Sequence, residues 1–286
     1  MNLALSANFT FDLEQRGNAL LQFEAAALPD QRLIEAETRI TTGAGDEDLR
    51  RVAAQEGVGQ RIWLHGQGRV EVRYDAQVAI TRADAALEPL AAVPLHRLPG
   101  EAVKYLFDSR YCHSAQFTDF TANQFGGLEG GAKAAAIRDW VANHLAYVPG
   151  ASGPDTTATD TFHGAAGICR DYAHLFVTLA RACSIPTRYV ACYAPGVDPP
   201  DFHAVAQVFL ASGNDPEAGG AWHVVDPTGM ASAADTAIIG VGRDASDVSF
   251  LTSFAPMTFI DSSVSAKGQD ATDAGEDAGQ LEALQD

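Results

Sequence analysis

The sequence predicts an α+β protein with antiparallel sheets, on three observations. Apolar and polar side chains alternate from Met1 to about Ile80, as they do in strands that bury one face. Helical spacing of apolar residues follows over 132–148, and a second amphipathic helix begins near Cys169. Strand-like runs joined by hairpin-length loops come after that helix. This order favours a β module followed by a core of helices packed on an antiparallel sheet.

Composition limits the classes of partner. The chain has 286 residues, 47% of them hydrophobic, so it can bury a sizeable core. Its 19 basic and 37 acidic residues give a net charge of -18, which repels nucleic-acid phosphates and anionic membranes. No stretch reaches the roughly 20 apolar residues of a spanning helix, and the amino terminus lacks the pattern of a secretory signal. We therefore expect a cytoplasmic protein that binds neither nucleic acid nor membrane.

The domain limits are predicted from changes in pattern. Extended runs fill the first part of the chain, and GQG in RIWLHGQGRVEVRYDAQVAI predicts a turn between two of them. A proline-punctuated connector and a segment ending in glycines then mark a boundary. We predict an N-terminal antiparallel β domain over residues 1–105 and an α+β domain over 106–261. The acidic remainder, 262–286, is poor in large apolar side chains and is predicted to be disordered.

Two helices are predicted between the β module and the later strands. The segment AKAAAIRDWVANHLAYVPG has an apolar stripe and is expected to end at Pro149-Gly150. In the segment GAAGICRDYAHLFVTLARAC the apolar face begins at Tyr172, so Cys169 lies at or just before the first turn. The unpaired N–H groups and the dipole at a helix start favour negative charge, and the thiolate is the reactive form of cysteine. A small packed residue is the alternative interpretation of such a cysteine.

Two further residues support a reactive cysteine. His203 begins the run HAVAQVFL, and Asp226 ends the run WHVVDP. A hairpin between these runs with its turn inside GNDP places His203 opposite Asp226, close enough for the side chains to meet. The sequence thus predicts a Cys-His-Asp triad in which Cys169 attacks an acyl carbon, His203 carries the proton and Asp226 orients the imidazole.

A metal site is the rival interpretation of this region. His163, Cys169 and His174 could be ligands, but their spacings lack the tight pairs of structural zinc, and no acidic run has the spacing of a calcium loop. We predict no metal and no cofactor. Cys183 and Cys192 are expected to be small buried residues, and Cys112 has no periodic context that would define a role.

These segments resemble the transglutaminase-like superfamily, whose core is a papain-like fold. The resemblance is carried by GAAGICRDYAHLFVTLARACSIPTRYVACY, DFHAVAQVFL, WHVVDPTG and GVGRDASDVSF. The order of a β-rich amino-terminal module followed by this core also resembles the bacterial branch of the superfamily that is labelled transglutaminase-like cysteine proteases. The resemblance implies that the α+β domain is catalytic and that its nucleophile, base and carboxylate are again Cys169, His203 and Asp226.

Val205 and the adjacent pair Arg243 and Asp244 lie in the same motifs. Many relatives carry an aromatic residue where this chain has Val205, which is expected to alter the wall of the acyl site. Arg243 and Asp244 match a recurrent motif of the family, and we expect them to form a structural ion pair.

Three functions remain compatible with the sequence. A thioester intermediate can be resolved by water or by an amine. We expect water, and hence hydrolysis of a peptide or protein amide, because water is always available and no amine site is evident. The alternatives are a protein-glutamine transglutaminase or amide transferase, and a non-catalytic binding or scaffold module with a vestigial triad.

Overall fold

The N-terminal part of the chain forms a sheet of long antiparallel strands. The computed structural model describes residues 1–43, 45, 48–212 and 219–269. The strands of this part are β1 (Asn2–Leu21), β2 (Gln31–Thr42), β3 (Asp48–Ala53) and β4 (Gln60–Ile80). β1 pairs with β4, while β2 and β3 pair with successive halves of β4. Alternate residues of β1 and β4 face one apolar core, which includes Phe9, Phe11, Leu64 and Tyr74.

The turn predicted at GQG is wrong, because β4 runs straight through it. Leu13 is the partner of Gly68, but Gly17 is the partner of Gly66, so extra residues of β1 bulge out between these pairs. Gly68 has a φ of +82°, which glycine adopts without steric cost. The glycines therefore accommodate a bulge between two continuous strands.

The second part is a helical layer on a four-stranded antiparallel sheet. Its helices are α1 (Gly100–Val103), α2 (Thr118–Phe125), α3 (Gly130–His144), α4 (Ala158–Gly164) and α5 (Cys169–Ala182). Its strands are β5 (Ala146–Tyr147), β6 (Ala166–Gly167), β7 (Thr187–Tyr193), β8 (His203–Ala211), β9 (Gly220–Val225) and β10 (Ala237–Gly242). The sheet order is β10-β7-β8-β9, and α5 packs on β7 and β8. The predicted α+β class, with the cysteine helix on an antiparallel sheet, is confirmed.

α3 ends earlier than the sequence predicted. The helix was expected to continue to Pro149-Gly150, but it ends at His144. Ala146 and Tyr147 instead pair in parallel with Ala166 and Gly167, just before α5. This short pairing, which links segments 20 residues apart, overrides the local helical pattern.

The two parts are joined through hydrogen bonds to the backbone of the edge strand β10 and through an ion pair. The Gln31 side chain donates to Ile238 O (2.8 Å) and accepts from Ile238 N–H (2.7 Å). Ala26 N–H donates to the same carbonyl (2.8 Å). Arg188 of β7 also pairs with Glu56 of the β module (2.7 Å). These contacts fix the β module directly against the core sheet.

The chain then returns to the first sheet. β11 (Leu251–Ser253) and β12 (Met257–Gln269) pair with opposite ends of β1. The prediction of disorder is therefore wrong for 262–269, because the open edge of β1 supplies hydrogen-bond partners and Val264 is buried in the core of the module. Residues 270–286 lie outside the described residues. The β module contains both ends of the described chain. The predicted division into 1–105 and 106–261 is incomplete, because it assigns β11 and the start of β12 to the second domain. The boundary near residue 105 stays a prediction.

No helix among the described residues is long and apolar enough to cross a membrane.

Substitutions in β12 test its place in the sheet. Val264→Asp would bury an unpaired charge and is expected to lower the free energy of unfolding by about 2–4 kcal/mol. Ser263→Asp adds the same charge on the exposed face of the strand and is expected to change it by about 0.5 kcal/mol or less. Urea unfolding followed by circular dichroism measures both. Equal effects of the two variants would contradict the pairing of β12 with β1.

Candidate active site

Cys169 is the first residue of α5, where the structure holds the helix start firmly. The residue is 8% exposed and lines a cavity. The Asp171 carboxylate accepts a hydrogen bond from Ile168 N–H (2.9 Å) and another from Ser152 Oγ. Asp171 thus caps the helix and fixes the chain on either side of Cys169. The Cys169 N–H, as the first of the helix, has no partner within it.

His203 and Asp226 meet, but in a register different from the predicted one. Val225 is the partner of Ala206, so the hairpin is shifted by two residues from the arrangement that sets His203 opposite Asp226. Because side chains alternate with a period of two, a two-residue shift keeps both side chains on the same face. They become diagonal neighbours, and His203 Nε2 lies 3.0 Å from Asp226 Oδ2. The predicted turn inside GNDP lies outside the described residues.

The Asp226 carboxylate is held in place by backbone and hydroxyl donors. Its Oδ1 accepts from Thr228 N–H and Thr228 Oγ1, both at 2.8 Å, and its Oδ2 accepts from Ala231 N–H at 2.8 Å. Burial favours the neutral acid, but the hydrogen bonds and charge of His203, followed by those of Thr228, lower the pKa of Asp226 below its ordinary value. The carboxylate is therefore ionised and oriented towards the imidazole.

The imidazole lies between this carboxylate and the cysteine. Burial disfavours the charged form of His203, yet the hydrogen bond to Asp226, the Cys169 sulfur and the two negative charges raise its pKa to about 9. Nε2 is taken by Asp226, and Nδ1 has no hydrogen-bond partner among the described side chains and backbone groups. Nδ1 is thus the ring nitrogen available to the sulfur. The structure brings the three predicted residues together, and their catalytic roles stay a prediction.

Tyr147 is a site residue that the sequence reasoning missed. It lies on β5 and is the partner of Gly167, which precedes Cys169 by two residues. Its side chain packs against the apolar cluster that contains Cys169. Burial, followed by the charge of Cys169, raises the pKa of Tyr147 to about 12, while the Cys169 amide lowers it. The hydroxyl is therefore neutral and lies close to both the amide and the sulfur of Cys169. The β5–β6 pairing that brings it there had no signal in the local pattern.

The contacts of Arg243, Asp244 and Val205 differ from those predicted. Arg243 pairs with Asp247 (3.0 Å), and Asp244 instead accepts from Tyr111 N–H (3.0 Å) and from Ser246, so the expected Arg243–Asp244 pair is wrong. Adjacent side chains of an extended segment point to opposite sides, which separates these two residues. Val205 packs with other aliphatic side chains in the core of the sheet, and the expected change to the acyl-site wall is not seen there.

The rival metal ligands are not assembled. His163 is exposed at the end of α4, whereas His174 is fully buried, stacks on Tyr111 and accepts from Ala245 N–H (3.1 Å). Burial lowers the pKa of His174 to about 4. No group of three His, Cys, Asp or Glu residues suited to a metal occurs among the residues that the structure describes.

The remaining three cysteines lie outside the cavity and have raised thiol pKa values. Cys112 and Cys192 are completely buried, and burial raises the pKa of Cys112 to about 11 and that of Cys192 well above its ordinary range. Cys183 is partly buried against the helical core. Its pKa is also raised by burial. Their surroundings therefore stabilise the unreactive thiol.

The electrostatics of His203 can be measured directly. Its resonances in a histidine-labelled sample are expected to titrate near pH 9 and not near 6.5. Asp226→Asn removes the hydrogen-bonded charge but leaves the burial, so the pKa is expected to fall. Asp201→Asn, a change to a carboxylate that lines the same cavity, is the matched control and should leave it unchanged. An unchanged titration of His203 in Asp226→Asn would contradict the pair seen in the structure.

Part of the chain that contains these residues is similar to a known family. The profile described as the transglutaminase-like superfamily matches residues 119–227. An uncharacterized protein of Mycobacterium leprae is 34% identical over 122 residues, and the match spans 40% of each chain. The match thus covers less than half of that relative's length.

A solved structure extends the similarity beyond the core. A protein from Cytophaga hutchinsonii, described as a "putative cysteine protease", is 27% identical with a TM-score of 0.83. The match covers 94% of this chain and 91% of that one, so it includes the β module. The similarity to the transglutaminase-like superfamily therefore covers residues 119–227, and the similarity in fold to the Cytophaga hutchinsonii protein extends over the N-terminal β module.

Proposed function

We infer that this protein is an acyl-transfer enzyme with a cysteine nucleophile that hydrolyses peptide or other amide bonds. The superfamily and the similarity to the Cytophaga hutchinsonii protein support a cysteine-based enzyme in general. The observation that carries the specific proposal is the Asp226–His203 pair next to a cysteine at the start of a buried helix. An ion pair of thiolate and imidazolium fits this arrangement, because the raised pKa of His203 keeps its ring protonated at neutral pH.

The reaction divides into two steps at the sulfur. The Cys169 thiolate forms a bond to the acyl carbon, and the amine leaves with the proton that His203 donates. The products of this step are a thioester and a neutral imidazole. His203 then removes a proton from water as the water oxygen attacks the thioester, and the thiolate departs with the carboxylic acid released. Asp226 stabilises the imidazolium each time it forms.

The negative oxygen of each tetrahedral intermediate needs two donors. The Cys169 N–H at the helix start is the first. The Tyr147 hydroxyl is the second in this proposal, because it is neutral and lies beside that same amide. Its position follows from the β5–β6 pairing, which also fixes the chain leading into α5.

Water as the second substrate distinguishes a hydrolase from a transferase. Hydrolysis is preferred because Cys169 opens onto a cavity of about 620 Å³ that solvent can enter. An amine reaching the thioester first would give cross-linked or amidated products instead.

Alkylation and turnover of Cys169 test the proposed nucleophile. Iodoacetamide at neutral pH is expected to label Cys169 faster than the other three cysteines, and His203→Ala should remove the advantage. Cys169→Ser should lower kcat for a peptide library by about 10⁴-fold or more. Cys183→Ser is the matched control, since this cysteine lies outside the cavity and is partly buried. Mass spectrometry maps the adducts and products.

Two results would contradict the proposal in different ways. Slow and equal labelling of all four cysteines, without turnover, would favour a non-catalytic module. Amine adducts that dominate at modest amine concentration would identify a transferase.

Tyr147→Phe tests the second oxyanion donor. Loss of one donor is expected to lower kcat by about 10²-fold with little change in KM. Alkylation by iodoacetamide forms no oxyanion, so its rate should change much less than kcat in this variant. Tyr172→Phe is the control, because this neighbouring hydroxyl donates to Leu145 O (2.8 Å) away from the sulfur. Equal falls in kcat for both variants would assign Tyr147 a merely structural role.

A further inference from the structure

The cavity at Cys169 is built jointly by the core and the β module. Its volume of about 620 Å³ lies within the usual range of small-ligand sites. Cys169 and His203 lie in its wall together with Gln22, Phe250 and Thr252, which come from the β1 end and the β11 return of the module. The β module therefore forms part of the surface that a substrate would meet.

An aromatic pair forms the wall next to the base. Phe202, directly before His203, stacks on Phe250 with ring centroids 5.1 Å apart and planes at 26°. Phe250 in turn meets Phe9 of β1 edge to face at 5.6 Å, and Phe202 contacts Tyr193 at 5.4 Å. Both phenylalanines are only partly buried and line the cavity. The wall is thus a continuation of the aromatic core of the module, and it is rigid and apolar.

Gln22 lies in the wall of the same cavity, with its amide nitrogen enclosed by the protein. Its side chain is 2% exposed, and Oε1 accepts from Arg61 Nε (3.0 Å). This bond fixes the orientation of the amide and leaves Nε2 without a hydrogen-bond partner among the described residues. The Gln22–Arg61 hydrogen bond therefore fixes this part of the wall, and the amide nitrogen faces the packed interior. A Cβ atom at Gly240 would lie only 2.0 Å from Nε2, so the backbone of β10 packs closely against the Gln22 amide.

We propose that this cavity binds a large apolar, preferably aromatic, side chain of the substrate next to the scissile amide. This assignment rests on the proposed function, because it names the substrate class of the same site. The aromatic wall supplies the apolar surface that such a side chain would bury. The β module is then the specificity element of the enzyme.

Peptide hydrolysis measures the preference. Matched peptides with phenylalanine or alanine beside the scissile bond, on either side, are expected to differ by about tenfold or more in kcat/KM. Phe250→Ala should reduce this ratio towards one, whereas Phe254→Ala should not, since Phe254 is 63% exposed and packs on Trp63 outside the cavity. Thr252→Trp, which fills the cavity and leaves the aromatic pair intact, should also reduce the ratio if Phe250→Ala fails to fold.

A second readout separates this inference from the proposed chemistry. N-acetyl-phenylalaninamide is expected to slow labelling of Cys169 by iodoacetamide more than N-acetyl-alaninamide does, whether or not any peptide is hydrolysed. Protection without turnover would support the subsite and overturn the hydrolase. Turnover with equal rates for both peptides, or equal effects of Phe250→Ala and Phe254→Ala, would overturn the subsite and leave the hydrolase standing.

Discussion

The packing of α5 on the core sheet is the constraint on which the geometry of the candidate site depends. The helix is buried along almost its whole length, so its position cannot vary without disturbing the core. The Asp171 cap holds its first turn. At the other end, the buried Arg181 donates to Thr187 O (2.9 Å), Phe107 O (3.1 Å) and the carbonyl of Arg243. A helix fixed at both ends presents its first sulfur to β8 with little freedom, as a reacting pair requires.

The imidazole is fixed from the other side by the sheet. His203 begins β8, with β7 on one side and β9 on the other, and its carboxylate partner follows directly after β9. The Asp226 oxygens accept bonds from the turn that follows, so the orientation of the ring depends on backbone geometry and not on a flexible contact. The raised pKa of His203 and the lowered pKa of Asp226 have the same origin, because each ion stabilises the other in a buried site.

The β module is physically part of the same unit. Its Gln31 side chain bonds to the backbone of the edge strand β10, and β12 closes the free edge of β1. The aromatic contacts from Phe9 through Phe250 reach Phe202, the residue before the imidazole. The chain from β10 back to β1 therefore couples the shape of the site to the fold of the module, which accounts for a structural match that extends over both parts.

The sequence by itself determined the elements whose causes are local. The stripe of α5, the alternation in β8 and the choice of Cys169, His203 and Asp226 as candidates follow from side-chain period and residue type, and the α+β class follows from the order of the elements. Only the tertiary structure decided the strand register, the Tyr147 hydroxyl, the end of α3 and the return of β12. Each of these depends on pairing between segments distant in the chain, where the energy of a hydrogen-bonded edge or a buried face outweighs local preference. The register of the β8–β9 hairpin differs from the predicted one by two residues. This difference leaves the site intact, because it does not change the face that each side chain occupies.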